Sequence, residues 1–557
     1  MHLLPQESRK ADVVVIGAGG AGQRAALAAR SEGVDALLVT KGLVGRSGNT
    51  PMGRFSFCVT QDRPGNTRSA HVRDTLDSGE GLSDERLVAS FVAHAPQRVR
   101  DLLAWRMRFE KRGGQLHQVR VPGHSEARAL HFKQETGLEV TRTLRREVTR
   151  AGIPLMEDAA VVAIVVEDNA VVGVIAVDVW SGIPVRIEAP AVVVAAGGAG
   201  CLYRHNSNAK DSTGDAYALA YRAGAELIDM EMTQFLPFGL VAPASLRGCT
   251  DPGGALITAG ASLLNACGER FMERYDAKRL EFSTRAIITR AIAEEIRAGR
   301  GSPAGGVWLQ LPKERGVASE VIEKSWCEYM RQGGVDPDSG RIEVAPSCHY
   351  MMGGIRVDAA AAGSVEGLFA AGEAMGGLHG ANRLAGHGLV EGQVFGTLAG
   401  LSAAQVAKAK QQHSPSPPRR RFVEQWDCFR ERIGVGASPT QPWEIKEELA
   451  SVMTEGAAYV RTDEGMRTAL EKVKDLEVEL REMKLPAPGL ALQEAIEARN
   501  LLTTAKVVIR AALHRKETRG AHMRSDYPGR DDAKFKVHIA VSRARDGVMD
   551  VAERPVL

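Results

Sequence analysis

The segment Asp12-Val13-Val14-Val15-Ile16-Gly17-Ala18-Gly19-Gly20-Ala21-Gly22 constrains this chain more than any other. A short apolar run enters a G-x-G-x-x-G turn, an Ala-rich helical pattern follows from Gln23 to Arg30, and a second apolar run spans Ala36 to Val39. Glycines let a strand turn tightly into a helix whose first amides approach a pyrophosphate closely. Glycine-rich turns are common, and a plain turn in a parallel-sheet protein is the competing reading. The order strand, turn, helix, strand favours a dinucleotide fold. Gly17, Gly19, Gly20, Ala21 and Gly22 are the candidate contacts.

The end of the second strand narrows the ligand. An acidic residue is expected roughly 20 positions on, to bond a ribose hydroxyl. Thr40-Lys41 stands there instead. This argues against simple NAD binding and fits flavoproteins, in which a hydroxyl–Lys pair precedes a loop covering the isoalloxazine.

At 557 residues the chain predicts two or three domains and a substantial core. A formal charge of +3 gives no case for nucleic acid. No run reaches the ~18 apolar residues of a membrane span, and the N-terminus lacks an apolar signal core, so a cytoplasmic location is expected. The seven cysteines are scattered without C-x-x-C spacing. No metal site, iron–sulfur cluster or disulfide framework is expected within the chain.

Helical periodicity runs from about Glu85 to Trp105 and Gly137 to Arg150, and strand-like runs span Ala159 to Glu167 and Val171 to Val179, joined at Asp168-Asn169. Ala191 to Gly200 is another buried strand with a glycine exit, which places Ala196 and Gly197 beside a cofactor unless the glycines are structural. Residues 234–345 differ in texture, with helices expected around Ile287 to Ala298 and Val317 to Arg331. Nucleotide-domain character returns at His349 to Gly400. His413 to Arg421 is Pro-broken and basic and reads as a linker, its arginines a solvated flank. Long periodic runs, Glu464 to Met483 and Leu490 to His514, follow. The resulting division is 1–234 and 346–412 for the nucleotide domain, 235–345 for an inserted α+β capping domain and 413–557 for a C-terminal helical domain.

Several ordered motifs carry a resemblance. They are Thr213-Gly214-Asp215-Ala216 with Arg222-Ala223-Gly224-Ala225, Asp229-Met230-Glu231-Met232-Thr233-Gln234-Phe235, and Asn265 with Gly268-Glu269-Arg270-Phe271-Met272. Further along come His349-Tyr350-Met351-Met352-Gly353-Gly354-Ile355, Gly372-Glu373 with His379-Gly380-Ala381-Asn382-Arg383-Leu384, and Arg515-Lys516-Glu517-Thr518-Arg519-Gly520-Ala521-His522. Across nearly its whole length the chain resembles the succinate dehydrogenase/fumarate reductase flavoprotein family, with L-aspartate oxidase and the adenylylsulfate reductase α subunit. The resemblance implies an α/β fold with a Rossmann-like FAD-binding domain. FAD would lie with its ADP half on Gly17–Gly22, its ribose near Thr40 and Lys41, and its flavin under Ser47, Gly48, Asn49, Thr50 and Gly53. Asp215 belongs to the implied cofactor set, and Glu373 would bond the second ribose. Gly388 and Leu389 would lie near the flavin pyrimidine, where the family's Ser is replaced. Family members with covalent flavin use a His where this chain has Gly48. Cys58 could stand in as a nucleophile but reads better as a packed core cysteine, so the FAD is expected to be non-covalent.

By the same resemblance His349 and Arg383 grip a carboxylate, and Arg383 also faces the flavin. Arg285 is the candidate acid/base, although the family's Arg-Asp pair reads Arg285-Ala286. An arginine is a poor proton donor in water, with a pKa above ~12. The bland alternatives are an exposed helix-face Arg285 and a satisfied buried His349. The second carboxylate sector departs from the family. Its Gln-Tyr/Phe-His-Pro-Thr reads Gln234-Phe235-Leu236-Pro237-Phe238, and the expected Glu and Arg fall near Gly254 and Ile257. Leu236 and Phe238 are therefore expected to line the pocket and make it apolar.

The expected function is FAD-dependent interconversion of C–C single and double bonds beside a carboxylate or carbonyl, with a substrate other than fumarate. The alternatives are an electron-transfer subunit working with an iron–sulfur or ferredoxin-like partner, which could tether the chain to a membrane surface, and sulfur chemistry of the adenylylsulfate reductase type.

Overall fold

The computed structural model describes residues 7–54, 56–61, 63–121, 123–249, 256–257, 260–283, 285–312, 324–336, 339–411, 419–544 and 546–557, without the side chains of 285–286, 324–326, 329, 411 and 419. Its centre is a five-stranded parallel sheet in the order Leu368–Ala370, Ala191–Val194, Val13–Ile16, Ala36–Val39, Leu155–Met156. These runs are apolar and buried at every position except Leu155, as a parallel sheet covered on both faces requires. Helices Gly20–Ser31 and Gly388–Gln411 pack beside it. A Cβ on Gly22 would stand 1.8 Å from the Gly17 carbonyl oxygen, so this glycine sets the helix against the turn.

Ala159–Glu167 and Ala170–Asp178 form an antiparallel hairpin. Both turn residues, Asp168 and Asn169, have positive φ (47° and 61°), the conformation that tight hairpins demand and that Asp and Asn tolerate. A separate antiparallel sheet runs in the order Thr233–Leu240, Arg341–Met351, Val307–Gln310, Ser262–Leu264. Phe238, Leu240, Ile257, Phe271, Ile292 and Val344 give it an apolar core of its own. The helices beside it are Arg285–Glu295 and Lys324–Gln332, and the expected start of the second, at 317, lies outside the described residues.

Most of the expected linker, 412–418, also lies outside the described residues. Its three arginines do not flank a loop. They open helix Arg419–Arg430, where Arg420 and Arg421 pair with Glu424 at 2.7 and 3.1 Å, because i,i+3 and i,i+4 spacing brings opposite charges together. Helices Pro442–Ala457, Asp463–Glu482 and Leu490–His514 follow. The chain then adds a hairpin, Val537–Arg543 with Met549–Pro555, which joins the short strand Leu227–Ile228. Among the described residues no helix is long and apolar enough to cross a membrane.

Buried charge fastens the C-terminal region to the rest. Arg515 reaches Glu231 at 2.6 Å, Glu517 at 3.2 Å and Asp229 at 3.3 Å, with all four side chains essentially sealed from solvent. Asp229 also bonds His538 of the hairpin at 2.5 Å. Burial alone would lower the His538 pKa, but the Asp229 carboxylate prevails and raises it.

Arg515→Ala leaves the buried Glu231 without a cation, while Asp229 keeps His538 and Glu517 keeps Arg519, and should lower stability by about 3–5 kcal/mol in denaturant titrations. For His538 the folded pKa lies above the unfolded value, so its stabilisation is fully present below about pH 6.5 and is lost as pH rises through the folded pKa. The stability difference between wild type and His538→Gln should therefore be largest near pH 6 and shrink at higher pH.

Candidate functional site

A cavity of about 510 Å³ opens at the carboxyl ends of the parallel strands, where open α/β sheets bind ligands. Gly17, Gly19, Gly20 and Ala21 line it from the first turn, Thr40 and Lys41 from the end of the second strand, and Ser47, Gly48, Asn49, Thr50 and Gly53 from the following loop. Ala196, Gly197, Asp215, Glu373, Gly388 and Leu389 complete that end, and Leu236, His349 and Arg383 line the other. Gly22 is not in the lining; it serves helix packing.

The nucleotide end is rigidly built. The Lys41 ammonium is buried and donates to Asp215 at 2.8 Å, Glu497 at 2.8 Å and Thr213 at 2.5 Å. Burial would lower its pKa, but the two carboxylates outweigh that and raise it. The Gly20 amide donates to the Thr50 hydroxyl at 2.9 Å, which ties the loop to the helix start. The Asn49 amide donates to Asn208 at 2.5 Å and its oxygen accepts from the Ala209 amide at 2.8 Å, while the Gly48 amide donates to Asp211 at 2.9 Å. Asn208 and Asp211 escaped the sequence reading because isolated polar residues in a loop carry no fingerprint.

These residues fit a bound dinucleotide. A Cβ on Gly48 (φ +76°) or Gly197 (φ +75°) would meet no protein atom within 4 Å, so at both positions the backbone borders open cavity. Glu373 is buried and accepts from the Met351 amide at 3.0 Å, and burial pushes its pKa up to about 7. A buried carboxyl of that kind suits hydrogen bonding to sugar hydroxyls. Gly48 offers no nucleophile, and Cys58 is fully buried, its thiol pushed up to about 12 by desolvation.

At the other end Arg383 is 9% exposed. Its guanidinium lies 4.3 Å from the Tyr350 ring centroid and donates from Nη2 to the Gln234 side chain at 3.1 Å. Gln234 donates in turn to the Arg383 carbonyl at 3.0 Å and to Asn382 at 3.1 Å, so it fixes both backbone and side chain. Arg383 Nε is buried without a hydrogen-bond partner, and among the described residues no carboxylate pairs with Arg383. His349 is held through Nδ1 by the Ser207 hydroxyl at 2.8 Å. Tyr350 donates to the buried Glu391, which also bonds His379 at 2.9 Å.

The second sector needs one correction. Leu236 lines the cavity, but Phe238 does not; it turns into the core of the neighbouring sheet. Gly239 follows a register shift in this strand, and Phe238 sits within that irregularity. Ile257, where the family's Arg was expected, is also buried in that core, and Gly254 lies outside the described residues. Arg247 and Cys249 line the cavity instead, and Arg247 is exposed at its edge. The sequence reading missed Arg247 because it belongs to no motif. Arg285 heads helix Arg285–Glu295, and its side chain lies outside the described residues.

Comparison with known proteins agrees with this geometry. The family described as FAD binding domain matches residues 12–389, and that described as fumarate reductase flavoprotein C-term matches 446–557. A fumarate reductase (CoM/CoB) subunit from Methanothermobacter marburgensis is 38% identical over 94% of this chain and 96% of its own length. L-Aspartate oxidase of Streptomyces coelicolor is 33% identical over 95% and 91%. Among solved structures, Mycobacterium smegmatis Sdh1 in complex with UQ1 superposes with a TM-score of 0.90 at 32% identity, covering 99% of this chain and 95% of that one. Adenosine-5-phosphosulfate reductase, at 21% identity and a TM-score of 0.79, shares the fold alone. This chain belongs to the fumarate reductase/succinate dehydrogenase flavoprotein family and is an FAD-dependent oxidoreductase.

Proposed function

We propose that this protein interconverts C–C single and double bonds beside a carboxylate. The observation that carries the reading is Arg383, a buried guanidinium that lines the cavity, with its Nε unbonded and no carboxylate partner among the described residues. A buried cation without a counter-ion is costly, and a substrate carboxylate would relieve that cost with two parallel hydrogen bonds. FAD, held without a covalent bond, supplies hydride transfer. Gln234 and Tyr350 fix the guanidinium plane, His349 held by Ser207 takes the same carboxylate, and Arg285 is the acid/base residue proposed for the proton. Leu236 gives that stretch of wall an apolar surface, which suits a substrate with one acidic group and an apolar remainder. Electrons would pass to a separate iron–sulfur or ferredoxin-like partner, a reading supported by relatives that are named as subunits.

Arg247 favours a second reading. Its charge at the cavity edge is unpaired among the described residues and could receive a second carboxylate, as fumarate would need.

Acid precipitation should leave all flavin in the supernatant as FAD; flavin on the precipitated polypeptide would overturn the non-covalent reading. Arg383→Ala should retain FAD and lose about 100-fold or more in kcat/KM, the size of one or two charge-assisted hydrogen bonds. Under anaerobic conditions the reduced enzyme should turn over a monocarboxylic enoate about 100-fold faster than fumarate. Fumarate turnover near 10 per second, the ordinary enzyme range, with a raised KM in Arg247→Ala, selects the second reading instead.

A further inference from the structure

The C-terminal helices enclose a second cavity, of about 560 Å³, within the range of small-molecule sites. Helices Asp215–Arg222, Asp463–Glu482 and Leu490–His514 bound it, together with the end of helix Arg419–Arg430 and the hairpin turn near Arg543 and Gly547. Five arginines line it, Arg222, Arg432, Arg481, Arg499 and Arg543, with two lysines, against the two carboxylates Glu431 and Glu477. The lysines are already engaged, Lys506 with Glu477 at 2.5 Å and Lys474 with Glu471 at 2.7 Å.

The arginines differ. Among the described residues none of the five pairs with a carboxylate, whereas the sealed Arg128, Arg515, Arg519 and Arg524 do, and the sealed Arg461 donates to three backbone carbonyls and His522. Arg222 donates to Asn500 at 2.5 Å and Thr503 at 3.4 Å, and its Nε is buried without a partner. Arg499 lies 5.1 Å from the Phe429 ring centroid. Burial and the neighbouring guanidiniums of Arg432 and Arg543 push Arg499 down to about 10, and burial with Arg499 lowers Arg222. Arg432, Arg481 and Arg543 are exposed at the mouth, while Arg222 and Arg499 are half-buried.

A cleft lined by one sign of charge focuses its potential on a ligand of the opposite sign. Planar guanidinium forks match the paired oxygens of phosphates better than ammonium groups do. We propose that this cavity is a binding site for a small polyanion of the di- or triphosphate type. The half-buried pair favours a small ligand over a protein surface, since a flat partner would meet only the exposed arginines at the mouth.

Isothermal titration calorimetry on the FAD-loaded full-length chain at low ionic strength tests this, with pyrophosphate, ATP and citrate as probes. Pyrophosphate should bind at one site per chain. Arg499→Ala should weaken it about tenfold or more, and Arg432→Glu with Arg543→Glu about 100-fold, the scale of lost charge-assisted contacts. The exposed pair carries the test if Arg499→Ala fails to fold. Arg467→Ala, on an exposed arginine paired with Asp463, should bind as wild type. Tighter binding of ATP assigns a nucleotide, and equal binding of citrate assigns polyanions generally; both keep the site. The proposal is overturned if none of the three binds at about 1 mM, if the variants leave binding unchanged, or if only an acidic peptide binds.

Discussion

The Lys41 ammonium is the joint on which the cofactor end depends. Its three N–H donors meet three acceptors, the Asp215 and Glu497 carboxylates and the Thr213 hydroxyl. Thr213 and Asp215 stand together at the start of helix Asp215–Arg222 and Glu497 on helix Leu490–His514, so one cation ties two distant stretches to the end of the second strand. Burying an ammonium costs several kcal/mol unless every proton is satisfied, so the arrangement stands or falls together. Glu497 is held down to about 2 by Lys41 and by Lys446, after burial has acted in the other direction. The C-terminal helix therefore reaches the wall of the nucleotide cavity and is more than an appended support.

A complementary imbalance marks the opposite end. Lys41 is over-supplied with carboxylates, whereas Arg383 has none among the described residues and keeps a buried donor free. Two buried cations in one cavity are thus treated in opposite ways. Lys41 is neutralised by the protein, whereas the proposed role of Arg383 is to take its counter-ion from a substrate. Gln234 completes the logic, since it orients Arg383 without neutralising it.

Much of this was legible in the chain. The strand–glycine–helix order placed the first turn on the cavity, and the periodicities of Glu85–Ala104, Thr136–Arg150 and Leu490–His514 match the helices within a residue or two. Apolar period and capping chemistry are local, so they survive without tertiary information. The C-terminal hairpin was missed although its signal exists: Val537-His538-Ile539-Ala540-Val541 places β-branched residues at alternate positions and Asp546-Gly547 marks a turn. Phe238 misled for a different reason. Alternation places Leu236 and Phe238 on one face of a regular strand, and the register shift between Leu236 and Gly239 breaks that parity. Arg247, Asn208 and Asp211 reach the site through loops, whose path no period encodes.

The motifs Asp229-Met230-Glu231 and Arg515 to His522 carry the resemblance as strongly as the glycine turn, yet none of their residues lines the cofactor cavity. Their charges meet one another in a sealed network that spans the nucleotide region, the last long helix and the terminal hairpin. Replacing such pairs with apolar groups can be neutral in stability, whereas removing one partner is not. A buried ionic network therefore locks in its members together even when its net contribution is small. Motif strength in this chain reports two separate constraints, contact with the cofactor and irreplaceable buried charge. Only geometry separates them, because both demand a fixed residue type at a fixed position.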